Sequence, residues 1–173
     1  MSLLGQTIAV AARRARWHAQ NMLQGIAPGQ FATKPRGPGG VIEMNHPAFI
    51  YGHLGLYPPR ILGLLGADSA VTVPPEWSAL FQPGATCQDD PDGRIYPAMD
   101  QITNLFFQGL DAAIVEVERQ PDSVFERIMP DERYRQFLPT IGAAALSMLN
   151  NHVSFHIGQV SAWRRFMGLG SAT

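Results

Sequence analysis

Apolar residues recur every three to four positions in four stretches of this chain, and proline- and glycine-rich connections separate those stretches. That period is the period of one α-helical face, not of a strand. The chain is thereby limited to helices that bury one side against each other. Residues 3–25 carry Leu4, Ile8, Ala12, Ala15, Ala19, Met22 and Leu23 at helical spacing, with Gly25 and Pro28 as the stop. Residues 28–41 hold three prolines and four glycines and are expected to be loop.

The second helix is expected to start at Asn45-His46-Pro47, with proline at the first helical position. It reaches about residue 65, kinked or interrupted at Pro58-Pro59. Residues 66–97 show no long periodic element, and so long a connection is often functional. A third helix is expected over 97–119, with Ile102, Leu105, Phe106, Leu110, Ile114 and Val117 as its stripe. Residues 120–138 are mixed. The fourth helix spans 139–167, closed by Arg164, Arg165 and Gly168. Four helices with one long crossover between the second and third predict an all-α, four-helix bundle, with residues 1–173 as a single domain.

At 173 residues, 46% hydrophobic and 16% charged, the chain can bury a core of its own. A net charge of −1 gives no general reason to expect nucleic acid or acidic membrane as a partner. The basic cluster of Arg13, Arg14 and Arg16 reads as solvated helix surface. No apolar run is long enough to span a bilayer. The N-terminal stretch lacks the basic start and cleavage pattern of an export signal. With the single Cys87, these features make a cytoplasmic protein the expectation. Cys87 sits in a Gly/Asp-rich loop and is expected to be an exposed, ordinary thiol.

Chemistry is expected at the histidines. His152 and His156 stand four residues apart, on one face of the fourth helix. Two imidazoles so placed can share one metal ion, each about 2.0–2.1 Å from a zinc. His53, in the apolar setting Tyr51-Gly-His-Leu-Gly, is the best third ligand, and Gly52 and Gly55 beside it permit close approach of neighbouring helices. His46 reads as a helix cap, and His18 as exposed or merely near the site. A His-Glu-x-x-His protease site is excluded because Val153, Ser154 and Phe155 fill the interval. Only Glu43-x-x-His46 matches the Glu-x-x-His motif, which a di-iron bundle needs twice. A mononuclear three-histidine site is the better reading, with a coordination position left for water or substrate. Gln159 could orient a ligand or a bound water, or be an ordinary interhelical glutamine; Asn150 and Asn151 could support the ligands. Gly158, costly inside a helix, suggests a packing reason. Lys34, Arg36 and Arg94 could hold an anionic cofactor or substrate, or face solvent.

Gly52-His53-Leu54, the stretch from His152 through Gly158-Gln159 to Trp163-Arg164-Arg165, and the long 66–97 connection together resemble the DinB/YfiT-like superfamily of small four-helix bundles. The resemblance is specific around residues 45–57 and 146–168. It implies up-down-down-up topology and a divalent metal on His53, His152 and His156, zinc or nickel first and iron or manganese after them. It further implies a homodimer and, in members with known activity, a metal-dependent transferase using a low-molecular-weight thiol, or a hydrolase. Gln159 is then the candidate catalytic residue, acting beside a metal that activates thiol or water. Two alternatives stay open: a non-catalytic bundle in which the metal is structural, and a metal-free bundle whose histidines are ordinary core residues.

Overall fold

The computed structural model describes residues 2–69 and 71–172 of the chain. The described residues are mostly helical; a small hairpin pairs Arg36–Gly37 (β1) antiparallel with Gly40–Val41 (β2), and a single bridge joins Ile128 to Thr140. Helix α1 spans Leu3–Met22 and is capped by Ser2, whose hydroxyl accepts from the Gly5 amide at 2.7 Å. Its inner face is Ile8, Ala9, Ala12, Ala15 and Ala19. The alanines keep that face thin, so larger side chains from opposite helices reach its backbone. Tyr51 does so, donating its hydroxyl to the Ala19 carbonyl at 2.6 Å.

The second helical run is two helices. Helix α2 spans Pro47–Gly55 and α3 spans Pro58–Leu65. Pro58 restarts the helix because proline supplies no amide to continue the ladder from α2. Helix α3 ends on Gly66, whose φ of 83° is the left-handed turn that glycine accepts without strain. Every residue of α2 is buried. The expected close approaches at its glycines are present. A Cβ on Gly52 would overlap the Phe81 ring, and one on Gly55 would lie 2.8 Å from Leu105 Cδ2.

The 66–97 connection contains a helix that periodicity did not reveal, α4 at Pro75–Phe81, seated on α2. Helix α5 spans Met99–Arg119, and a short α6 follows at Asp122–Phe125. The last run comprises α7 (Ile141–Leu146), a π-helical turn at Ser147–Asn151, and α8 (His152–Phe166). Helices α1 and α2 each pack against both α5 and α8, and α3 also packs on α5. The core lies between these four. Its largest buried side chains include Trp163, Tyr51, Phe106 and Phe125.

Several local expectations are met and others corrected. Gly168 has φ 75°, and the Leu169 amide donates back to the Arg164 carbonyl at 2.9 Å, the expected end of α8. Arg164 itself is buried and serves another helix, donating to the Met22 and Gln24 carbonyls at the end of α1. Arg13 and Arg16 are not merely solvated: they pair with Glu118 and Asp111 on α5. Cys87 is buried rather than exposed, and burial pushes its thiol pKa up. Gly158 has no packing role, because a Cβ there would meet nothing within 4 Å. Among the described residues no helix is long and apolar enough to cross a membrane.

Candidate metal centre

Helix α2 delivers His53 to the inner side of α8, where His152 opens the helix and His156 follows one turn later. The three imidazoles converge: one ring nitrogen from each lies within 4.8 Å of the other two. His53 Nε2 and His152 Nε2 are 3.2 Å apart. Ring centroids are 4.9 Å apart for His53 and His156 and 4.6 Å for His152 and His156. His53 is buried and the pair on α8 is half-buried.

The position of His53 is set by α4. Phe81 is the last residue of that helix, and a terminal carbonyl has no partner within its own helix. His53 Nδ1 donates to it at 2.8 Å. The hydrogen bond fixes the tautomer and leaves Nε2 as a bare lone pair directed at His152. Glycine at position 52 makes room for the Phe81 ring, so the same residue contacts α2 twice. The Phe49 ring stacks beside His53 at 6.4 Å and 8°.

Burial keeps all three imidazoles neutral. It is the largest cause in each case: the pKa of His152 falls to about 3 and that of His156 to about 4, and His53 is also lowered. For His152 the neighbouring His156 and His53 add to the effect. Neutral imidazole is the form that ligates metal. The Nδ1 atoms of His152 and His156 are buried without a hydrogen-bond partner among the described residues. An unmet buried polar atom costs about 1–3 kcal/mol, so the bare cluster is expensive. A divalent ion suits the neutral lone pair that His53 Nε2 turns toward His152. The 3.2 Å separation of His53 and His152 fits one too, since two nitrogens at 2.0–2.1 Å on a tetrahedral ion lie about 3.4 Å apart. The donor set therefore fits a mononuclear ion. No Cys, Asp or Glu joins this group among the described residues, so three imidazoles are its protein ligands.

Residues around the cluster divide unevenly. Gln159 accepts from Asn45 Nδ2 at 3.0 Å, and its side chain opposes the effect of burial on His156. Tyr57 has its hydroxyl 3.3 Å from His53 Nε2 and its ring 4.3 Å from that of His152. Its spacing of four from His53 on a helical run was the available signal. The Phe81 carbonyl had none. Asn150 and Asn151 bond each other at 2.9 Å in the π turn and not the histidines. His46 is the α2 cap, with Nδ1 accepting from the Phe49 amide at 3.2 Å and Nε2 donating to the Gln88 carbonyl at 2.7 Å. His18 packs against Trp17 and is not part of the cluster. Lys34 is buried and paired with Glu43 at 2.6 Å, and Arg36 pairs with Asp89 at 2.9 Å. Neither is left for an anionic cofactor. Arg94 is exposed.

No family model matches the chain, and neither does any characterised protein or solved structure against which it was compared.

Proposed function

We propose that this chain is a DinB/YfiT-like, up-down-down-up four-helix bundle that holds one divalent metal ion, zinc or nickel, on His53, His152 and His156. The observation that carries the reading is the convergence of three neutral imidazoles from two helices, one buried and two half-buried. A resident ion of this kind lowers the pKa of a bound thiol or water and so makes it a nucleophile near neutral pH. The reaction class that follows is transfer to a low-molecular-weight thiol, or hydrolysis. The protein's own groups do the positioning. The Phe81 carbonyl orients His53, and Gln159, itself held by Asn45, steadies His156. Tyr57 stands over the cluster as a neutral phenol, its pKa raised by burial, able to donate one hydrogen bond to a group bound there.

A catalytic ion is favoured over a structural one because the protein ligands are three and neutral. Closed structural sites take four ligands and usually thiolates, whereas three imidazoles leave a position for an exchangeable ligand. The active form is proposed to be a homodimer acting in the cytoplasm on a small molecule.

Elemental analysis of the purified chain tests the site. About one ion per chain is expected, falling to near zero in His53→Ala and His152→Ala variants that keep their helical circular dichroism. Stoichiometric metal retained in both variants would overturn the assignment.

A further inference from the structure

A cavity of about 260 Å³ shares Tyr57 with the histidine cluster, although none of the three histidines lines it. Three residues of its wall lead straight to groups of the site. Tyr57 lines it, with its hydroxyl 3.3 Å from His53 Nε2. Met148 lines it from the π turn, four positions before His152. Pro83 lines it two residues after Phe81, whose carbonyl holds His53. A molecule filling this space packs on the Tyr57 ring, whose hydroxyl meets the imidazoles.

The remaining wall is mostly apolar, including Ile61, Leu64, Met129 and Leu138, and no acidic residue contributes to it. Arg60 and the phenol of Tyr134 are the exceptions, and Arg60 alone carries charge. Its guanidinium lies 5.2 Å from the centre of the Tyr57 ring and has neither an ion pair nor a hydrogen bond among the described residues. Arg13 and Arg16, which reach α5, are matched with carboxylates, and Arg164 is matched with carbonyls at the end of α1. Arg60 is thus a planar, always-charged fork held by stacking at the edge of an apolar chamber.

We infer that this cavity is the substrate subsite of the metal centre, and that it takes a compact apolar monocarboxylate whose carboxylate pairs with Arg60. The inference rests on reading the three histidines as a metal centre. A guanidinium matches a carboxylate in two parallel hydrogen bonds. One cation balances one negative charge, which favours a monoanion over a phosphate dianion. The walls favour a hydrocarbon body, aromatic or branched. The volume lies just below the ~300–1,000 Å³ of drug-sized ligand sites, which suits a small acid and not a peptide. Arg60 is exposed, so the carboxylate stays partly hydrated at the rim while the body of the ligand packs on the Tyr57 ring.

Phenylacetate and its uncharged analogue phenylacetamide test this with the full chain, loaded with zinc. Methyl NMR of the methionines reads the cavity through Met129 and Met148, and elemental analysis of the same sample reads the metal. Saturable shifts at both methionines are expected with phenylacetate. The dissociation constant should rise at least tenfold for phenylacetamide and for Arg60→Gln. Leu64→Trp, which fills the chamber, should abolish the shifts. Arg60→Gln changes an exposed side chain, so it keeps the test decisive even if Leu64→Trp fails to fold. Equal binding of acid and amide, or unchanged binding in Arg60→Gln, overturns the inference. Metal uptake without phenylacetate binding overturns the cavity inference alone. Arg60-dependent binding to a protein that takes up no metal overturns the metal reading, and with it the assignment of the cavity as its subsite.

Discussion

His53 Nε2 lies 3.2 Å from His152 Nε2, although 99 positions separate the two in the chain. With His53 Nδ1 committed as donor to Phe81, its Nε2 offers a lone pair. His152 and His156 meet it as neutral rings. An ion bound among the three stabilises the folded chain by mass action. At free zinc one hundred times the dissociation constant the gain is about 2.7 kcal/mol. In a chain of this size that raises the melting temperature by about 5–10 °C. Calorimetry with and without a chelator should show the shift, and His152→Ala should show none.

Gly52→Ala is expected to destabilise the protein by about 1–3 kcal/mol, because the added methyl overlaps the Phe81 ring. Since the Phe81 carbonyl orients His53, metal affinity should fall as well. Gly55→Ala is the control. Its methyl overlaps the terminal Cδ2 of Leu105, which can swing away, and meets the Phe106 backbone at an ordinary 3.7 Å, so the loss should be smaller and metal affinity kept. Urea denaturation and metal titration of both variants check this.

Gly158→Ala should act in the opposite sense. The position is inside α8 and faces open space, so alanine removes only the backbone freedom of glycine. A gain of about 1 kcal/mol is expected, with unchanged metal content. A loss of stability in denaturant titration would show that the glycine serves a contact after all.

His46 gives the fold a pH dependence. It is fully buried, and burial, the largest cause, brings its pKa down to about 4, with Lys34 acting in the same direction. The unfolded chain takes up a proton at the ordinary histidine value near 6.5. Between about pH 6.5 and 4 the unfolded state therefore binds more protons, and stability falls as pH falls through that window. The contribution of His46 is up to about 3 kcal/mol. His46→Asn keeps a side chain able to cap α2 but removes this titration. In metal-free protein, unfolding free energies measured from pH 7 to 4 should fall less steeply in the variant.

The helices and one edge of the site could be read from residue order, because both depend on local geometry. Apolar spacing located α1 and α5 to within a few residues. Pro47 after His46 marked the start of α2, and a spacing of four put His152 and His156 on one face wherever α8 came to rest. Helix α4 escaped because seven residues are too short to show a period, and two prolines precede its body. Its placement depends on the gap that Gly52 leaves on α2.

Periodicity also names a buried face without naming what covers it. That Cys87 is buried, that Arg164 closes α1 instead of its own helix, and that Lys34 is matched with Glu43 are outcomes of packing. The candidate metal centre divides in the same way. Residue order supplied the paired imidazoles of α8 and a third histidine in an apolar setting. Only the packing of α2 between α5 and α8 brought His53 Nε2 to the pair, gave Nδ1 a carbonyl from α4, and placed Tyr57 above them. A turn of helix is dictated by residues within four positions of each other, whereas the meeting of side chains 99 positions apart is decided by how whole helices bury their apolar faces.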